Sequence, residues 1–126
     1  MPRRAIHNDE MPKPFGPYSA AVAASGELVF ISGQPGIDPK SGEVPADFAS
    51  QARNAFENVA AVVRGCGIGM ADVVKTTVYL ADASQFETLN TLFAEYFPGD
   101  PPTRATPVVQ LPKGLLISIE AIAVRP

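Results

Sequence analysis

The stretch LLISIEAIAV, residues 115–124, predicts a β-strand that is buried on both faces. Nine of its ten residues are apolar or small, so apolar side chains point to both sides of the extended chain. The exception is Glu120, near the middle of the stretch. A buried carboxylate is costly unless it is paired, hydrogen-bonded or protonated. The stretch therefore indicates a covered sheet, and Glu120 is the residue in it that needs an explanation.

Two further segments have the pattern of helices. Apolar residues recur every three or four positions between residues 46 and 66, and Gly65 and Gly67 are stop signals, which predicts a helix there. The capping-box sequence Ser84-Gln85-Phe86-Glu87 predicts the start of a second helix. The proline-rich segment 98–102 predicts its end, because proline cannot continue a helix.

The remaining apolar and β-branched runs predict strands, with turn residues between them. The predicted strands cover residues 4–7, 18–24, 28–32, 72–80, 103–110 and 115–125. Two hairpins are expected, one about Ser25-Gly26 and one about the Leu-Pro-Lys-Gly turn at 111–114.

The main elements, in the order ββ-α-β-α-ββ, predict an α+β sandwich with one mixed sheet and two helices on one of its faces. At 126 residues the chain has the size of a single domain, which we take as residues 1–126. The strands carry apolar residues on both faces, yet two helices cover only one face. The other face would be a large exposed apolar patch. We therefore expect sister subunits to cover it in a closed symmetric oligomer.

Composition argues against several classes of function. A net charge of −3 without a Lys/Arg stripe gives no footprint for a nucleic acid. No apolar run reaches the roughly 20 residues of a membrane span and no signal peptide is visible, so the expected location is cytoplasmic. His7 is the only histidine and Cys66 the only cysteine, and we interpret them as a surface residue and a packed thiol. Because metal-ligand spacing is also missing, we expect no metal and no cofactor.

Polar residues inside apolar segments remain as candidates for chemistry. Arg104 lies on the strand that a turn joins to the Glu120 strand, so in a hairpin the two residues would lie at similar heights. A guanidinium there could bind a planar carboxylate through two parallel hydrogen bonds. The alternatives are a structural Arg104–Glu120 ion pair and a Glu120 that faces water at a strand edge. Tyr18 and Ser32-Gly33 are weaker candidates, and Asn90, on the apolar stripe of the second helix, is expected to cap a backbone group of a neighbouring segment.

Taken together, these residues resemble the RidA/YjgF family of enamine/imine deaminases. The resemblance rests on GPYS (16–19), FISGQ (30–34), DVVKTTVYL (72–80), Pro102-Thr103-Arg104, and LPK (111–113) leading to IEAIAV (119–124). These motifs keep the order and spacing of the family over nearly the whole chain.

The resemblance implies a chorismate-mutase-like fold that assembles as a homotrimer around a central barrel, with active sites in clefts between neighbouring subunits. It also implies a hydrolase acting on C=N bonds, a 2-iminobutanoate/2-iminopropanoate deaminase. Its substrates would be 2-aminoacrylate, 2-iminobutyrate and similar 2-imino acids, which become 2-keto acids and ammonia. This chemistry needs orientation, a placed water and a proton acceptor, and it needs neither metal nor cofactor.

By resemblance, each candidate residue also has a role. Arg104 would bind the substrate carboxylate, and Glu120 would orient and partly deprotonate the attacking water. Tyr18 would line the pocket across the interface. The backbone of Ser32-Gly33 would bind the substrate from the other side, and Asn90 would brace the site.

One departure from the family bears on specificity. Thr106 stands where many members carry a cysteine, and it would face the pocket, so the substrate range could differ. Two other functions stay open. One is a non-catalytic protein that binds small 2-keto acids or amino acids in the same cleft. The other is the ribonuclease or translation-inhibitor activity attributed to some relatives, which the acidic balance and the single histidine oppose.

Overall fold

A computed structural model describes residues 3–126, in which a four-stranded mixed sheet packs against two α-helices. The strands are β1 (Arg3–Ile6), β2 (Ala21–Ala24), β3 (Glu27–Pro35), β4 (Val73–Leu80), β5 (Thr103–Ala105) and β6 (Ile117–Arg125), and the helices are α1 (Phe48–Gly65) and α2 (Phe86–Tyr96). The predicted α+β class with two helices and a mixed sheet is confirmed.

The first predicted hairpin is wrong, because the chain changes sheets at Ser25-Gly26. β2 pairs antiparallel with β1, whereas β3 pairs antiparallel with β6. Gly26 has φ +132°, and a Cβ at this position would lie 2.5 Å from the backbone oxygen of Arg125 at the end of β6. Only glycine fits this conformation and this close approach. The strands therefore form a separate two-stranded sheet and a main sheet, instead of the single sheet that we predict.

The second predicted hairpin is also wrong, because β4 lies between the two C-terminal strands. The main sheet has the order β3-β6-β4-β5, with β5 parallel to β4 and β6 antiparallel to both of its neighbours. After β5 the chain stays beside β4, since the Leu80 N–H donates to the Pro107 carbonyl and the Val109 N–H donates to the Leu80 carbonyl. The predicted strand at 103–110 is therefore only three residues long and continues as an irregular segment. The 111–114 turn then carries the chain past β4 to β6.

The first helix begins and ends close to the predicted residues. At its start, the Asp47 carboxylate accepts a hydrogen bond from the Ser50 N–H at 2.9 Å, and this bond lowers the pKa of Asp47. After its end, Gly67 turns the chain with φ +79°. On the inner face, the buried amide of Gln51 bonds three backbone groups of the loops that precede α1 and β6. This side chain fixes the helix against the turn that leads into β6.

The second helix starts at the predicted place by a different mechanism, so the predicted capping box is wrong. Asp82, and not Ser84, provides the cap: its carboxylate accepts a hydrogen bond from the Ser84 N–H at 2.8 Å. Residues Ala83–Gln85 then form one turn of 3-10 helix, and α2 begins at Phe86 without a side-chain cap of its own. The carboxylate of Asp82 lies two residues before Ser84 and is a strong local acceptor, which explains why it accepts the hydrogen bond from the Ser84 N–H.

The two faces of the main sheet have different surroundings. The face toward the helices forms the core, whose largest fully buried side chains include Phe56, Phe93, Leu80, Leu89, Ile117 and Ile119. On the other face, which we call the open face, Phe30 pairs with Ile122 and Ile122 pairs with Lys75. Phe30 is 71% exposed and Leu28, two residues earlier, is 57% exposed. The described chain thus has the partly apolar, uncovered face that the strand pattern predicts.

The length and the apolar character of the helices decide whether they could cross a membrane. Within residues 3–126, neither helix has the length and apolar character needed to cross a membrane.

Candidate active site

The loop of residues 16–19 packs against the segment that precedes β5. The Ser19 hydroxyl donates to the Pro101 carbonyl, and the Ser19 N–H donates to the Pro102 carbonyl at 3.0 Å. Ser19 is buried, so both bonds are shielded from water. This use of the loop explains why β2 begins at Ala21 and not at residue 18, as the sequence predicts.

Arg104, at the centre of β5, points to the helix side of the sheet and lines a cavity of about 410 Å³. Its guanidinium carbon lies 4.8 Å from the ring centroid of Tyr18 and 5.1 Å from that of Phe93. Burial lowers the pKa of Arg104, and the nearby Tyr18 partly offsets this effect. The Nε and Nη1 atoms are buried, and neither has a hydrogen-bond partner among the described residues. A guanidinium with unpaired donors is suited to an anion with two acceptors, which it can bind through Nη2 together with Nε or Nη1.

Asn90 and Thr106 line the same cavity, which we call the Arg104 cavity, together with Phe15, Tyr18 and Phe86. The Oδ1 atom of Asn90 is buried and has no hydrogen-bond partner within residues 3–126, so the backbone cap predicted for it is absent. The loop backbone approaches both polar groups closely at Gly16. A Cβ there would lie 3.0 Å from Asn90 Oδ1 and 3.2 Å from Arg104 Nη2.

Glu120 lies on the opposite face of the main sheet from Arg104. Arg104 pairs with Thr76 on β4, and Glu120 pairs with the next residue, Thr77. Consecutive residues of a strand point to opposite faces, and cross-strand partners share a face. The two residues therefore lie at similar heights, as predicted, but on different sides of the sheet. The alternative of a structural Arg104–Glu120 ion pair within the chain is wrong for the same reason.

Glu120 lines a second cavity, of about 290 Å³, which we call the Glu120 cavity. The Tyr79 hydroxyl donates to Glu120 Oε1 at 2.8 Å, and this hydrogen bond, together with burial, raises the pKa of Tyr79. The bond fixes one oxygen of the carboxylate. The other oxygen, Oε2, has no hydrogen bond to any residue that the structure describes. The carboxylate is therefore oriented while half of its accepting capacity remains free.

Ser32 lines the Glu120 cavity as well, and Gly33 follows it in a β-bulge. The register of β3 against β6 shifts between Ile31 and Gln34, so Ser32 and Gly33 fall outside the regular pairing. Bulges commonly re-aim groups next to binding sites. A Cβ on Gly33 would lie 2.9 Å from the side-chain oxygen of Ser118, so this position is tight as well.

The structure thus gathers the candidate residues into two groups. Arg104, Tyr18, Asn90 and Thr106 meet in the Arg104 cavity, and Ser32 meets Glu120 in the other cavity.

A family model described as Endoribonuclease L-PSP matches residues 8–125, a range that includes every residue of both cavities. The chain belongs to the RidA/YjgF family.

Two curated relatives within the RidA/YjgF family match nearly end to end. A RutC family protein of Pyrococcus horikoshii is 46% identical over 125 residues, which are 98% of this chain and 98% of that protein. The 2-iminobutanoate/2-iminopropanoate deaminase of Escherichia coli is 40% identical over 126 residues, covering 97% of this chain and 98% of that protein.

Solved structures agree with this assignment. The Rid family protein YyfB of Yersinia pestis superposes with a TM-score of 0.88 at 32% identity, covering 99% of this chain and 100% of that one. The Escherichia coli protein TdcF with bound serine has a TM-score of 0.74 at 39% identity, covering 98% of this chain and 99% of that one.

Sequence reasoning missed several residues at the site of this RidA/YjgF protein. Tyr79 and Lys75 face the Glu120 side of the sheet, and Phe15 and Phe86 line the Arg104 cavity. The signal for the first two was available: in VVKTTVYL, the polar residues Lys75, Thr77 and Tyr79 occupy alternate positions, which share one face of a strand. No comparable signal marks Phe15, whose ring is almost fully exposed.

The remaining sequence interpretations concern His7, Cys66 and metals. His7 is exposed, as predicted, and Cys66 is half-buried just after α1. In residues 3–126, no group of three or more His, Cys, Asp or Glu side chains is placed to hold a metal ion.

Proposed function

We propose that this protein hydrolyses reactive enamine and imine intermediates, namely 2-aminoacrylate, 2-iminobutyrate and similar 2-imino acids, to 2-keto acids and ammonia. The observation that carries the proposal is the half-buried Arg104, whose buried Nε and Nη1 donors lack partners among the described residues. The name of the Escherichia coli relative, a 2-iminobutanoate/2-iminopropanoate deaminase, supports the same reaction. The serine bound to TdcF, a small molecule with a carboxylate next to a nitrogen-bearing carbon, supports the ligand class.

In this proposal, Arg104 binds the substrate carboxylate through two parallel hydrogen bonds. A water held by the free oxygen of Glu120 attacks the carbon of the protonated C=N group and transfers a proton to the carboxylate. Glu120 then returns this proton to the nitrogen of the tetrahedral intermediate, the C–N bond breaks to release ammonia, and the hydroxyl proton passes to the ammonia as the carbon becomes a keto group, so the products are the 2-keto acid and ammonium. Because the iminium is already a strong electrophile, orientation and a proton acceptor supply the catalysis.

The complete site requires two chains, since Arg104 and Glu120 lie on opposite faces of one sheet. We therefore propose that the Arg104 cavity of one subunit meets the Glu120 cavity of its neighbour. The exposed Phe30 and Leu28 on the open face support an assembly that buries this face. The family suggests a chorismate-mutase-like homotrimer with the open faces turned toward a central barrel. In that assembly Ser32-Gly33 would bind the substrate from the Glu120 side, and Tyr18 and Thr106 would line the opposite wall.

The test is keto-acid release from a mixture of a serine/threonine dehydratase with its amino acid, with and without the protein. We expect the wild type to accelerate release and Arg104→Ala and Glu120→Gln each to abolish the acceleration. Arg53→Ala and Glu27→Gln are matched controls, because both residues form exposed ion pairs away from the two cavities. Full activity of Arg104→Ala or Glu120→Gln contradicts the role given to that residue. A wild type that binds 2-keto acids without any acceleration favours the non-catalytic binding protein.

A mixed assembly tests whether the site is shared between chains. If each site takes Arg104 from one subunit and Glu120 from the next, co-expressing the two inactive variants in equal amounts restores about a quarter of the wild-type activity, because about a quarter of the sites are intact. Each variant alone stays inactive. No recovery in assemblies shown by mass spectrometry to be mixed contradicts the shared site.

A further inference from the structure

Three buried side-chain atoms lack a hydrogen-bond partner among the described residues, and all three belong to the Arg104 cavity. They are Arg104 Nε, Arg104 Nη1 and Asn90 Oδ1. Buried polar atoms are nearly always paired, so each exception needs an explanation. The two arginine atoms are donors, whereas the amide oxygen is an acceptor. The walls of the Arg104 cavity therefore hold two unpaired donors and one unpaired acceptor.

A carboxylate satisfies only part of this pattern. Its oxygens accept hydrogen bonds from Arg104, but a carboxylate has no hydrogen to donate to Asn90 Oδ1. A 2-keto acid has no donor either, since its second functional group is a carbonyl. A 2-imino acid carries N–H on the carbon next to the carboxylate, and a 2-amino acid carries an ammonium there. Of these ligands, only the nitrogen-bearing ones pair with both the guanidinium and Asn90 Oδ1.

The positions of the two residues fit such a ligand. Asn90 Oδ1 and Arg104 Nη2 both lie within 3.2 Å of one point, the place where a Cβ on Gly16 would be. The acceptor is thus next to the guanidinium, as the nitrogen of a 2-imino acid is next to its carboxylate.

We infer that Asn90 Oδ1 accepts a hydrogen bond from the ligand nitrogen, so that the Arg104 cavity selects 2-imino and 2-amino acids over 2-keto acids of the same carbon skeleton. The inference rests on the proposed function, in which Arg104 binds the carboxylate. It adds a reason for product release: hydrolysis replaces the N–H donor by a carbonyl oxygen, and Asn90 Oδ1 loses its partner. A site built to bond a donor rejects the analogue that lacks it.

The competing role for Asn90 is to orient Arg104. That role predicts that a substitution at Asn90 weakens every carboxylate ligand by the same factor. The direct contact predicts a change in the preference between two ligands that differ only at the nitrogen. A comparison of L-2-aminobutyrate with 2-ketobutyrate separates the two roles, because both have four carbons and the same carboxylate.

The experiment measures the affinity of both ligands by calorimetry or ligand-detected NMR for the full-length wild type and Asn90→Leu, which keeps the volume and removes the acceptor. We expect Asn90→Leu to weaken L-2-aminobutyrate by about 5- to 100-fold, as for a buried hydrogen bond, and 2-ketobutyrate by less than about twofold. Asn54→Leu, the same change on α1 outside the cavity, is the control. Asn90→Ala provides the same comparison if leucine disturbs the packing of α2.

Each outcome decides the matter. A selective loss for L-2-aminobutyrate supports the contact, whereas equal losses for both ligands, or no loss for either, overturn it. Arg104→Ala, measured in parallel, reports on the proposed function by itself. If that variant binds both ligands like the wild type, the carboxylate site is wrong and the selection by Asn90 falls with it.

Discussion

Replacing Arg104 by lysine keeps the positive charge and removes the fork of two donors. In the structure neither Nε nor Nη1 has a partner, so either can join Nη2 in a planar pair of donors to one carboxylate, whereas a lysine ammonium is a point charge without this planar match. Losing one charge-assisted hydrogen bond costs about 1.5–3 kcal/mol. We therefore expect Arg104→Lys to weaken 2-ketobutyrate binding by about 10- to 150-fold at pH 7.

The same variant should also become sensitive to pH. Burial lowers the pKa of Arg104, yet a guanidinium remains protonated throughout the ordinary range. In the same surroundings, burial would lower the pKa of a lysine below its usual value of about 10.4. The ammonium is present below that pKa and is lost as the pH rises through it. Binding by Arg104→Lys should therefore fall as the pH rises toward the usual lysine pKa of about 10.4, and earlier than for an exposed lysine, while wild-type binding stays nearly constant.

Calorimetric titration of 2-ketobutyrate at several pH values measures both effects. Arg53→Lys is the matched control, because Arg53 lies on α1 in an exposed ion pair with Glu95. Equal affinity of Arg104→Lys and the wild type at pH 7 would refute the paired donors. A weakened affinity that does not change with pH would refute the buried surroundings that we assign to this position.

Three other variants test other parts of the structure. Tyr79→Phe removes the hydrogen bond that orients the Glu120 carboxylate, so we expect steady-state kinetics to show a lower kcat. KM should stay unchanged, because the substrate binds through its own carboxylate in the Arg104 cavity. Tyr96→Phe, which removes a similar tyrosine–glutamate bond on the helix surface, should change neither parameter. Phe30→Lys places a charge on the open face, and sedimentation should show dissociation of the oligomer; an intact oligomer would contradict its burial between subunits. Gly36→Ala would put a Cβ 2.5 Å from a backbone oxygen of α1, so urea titrations should show a free energy of unfolding that is lower by about 1–3 kcal/mol. The control Gly99→Ala, in open space, should change this free energy by less than about 0.5 kcal/mol.

Sequence predicted the helices well because their signals are local. The apolar period and the glycine stop place the first helix at 46–66, and α1 spans Phe48–Gly65. Strand pairing was predicted poorly because it is not local. Both predicted hairpins join strands that are adjacent in sequence, whereas β3 and β6, which pair with each other, lie in the first and last thirds of the chain. A turn signal shows where the chain reverses and does not show which strand it meets next.

The candidate residues show the same limit. Arg104 and Glu120 stood out as polar residues in apolar strands, and that observation needs only the local pattern. Their relation depends on β4, whose paired residues precede Arg104 by 28 positions and Glu120 by 43 positions, and which separates them in the sheet. No pattern within either strand contains this information. The side of the sheet on which Glu120 lies follows only from its pairing with Thr77.

The place of β4 also links assembly to chemistry. A hairpin of β5 and β6 would put Arg104 and Glu120 next to each other, where an ion pair would use the donors that a substrate needs. With β4 between them, Arg104 keeps two free donors and Glu120 faces the open side. On the proposed function, the contact that buries the open face is therefore the contact that completes the site. A separated subunit would keep the means to bind a carboxylate and lose the means to place the water. Ligand binding and turnover should then respond differently to dissociation, since only turnover needs the neighbouring chain.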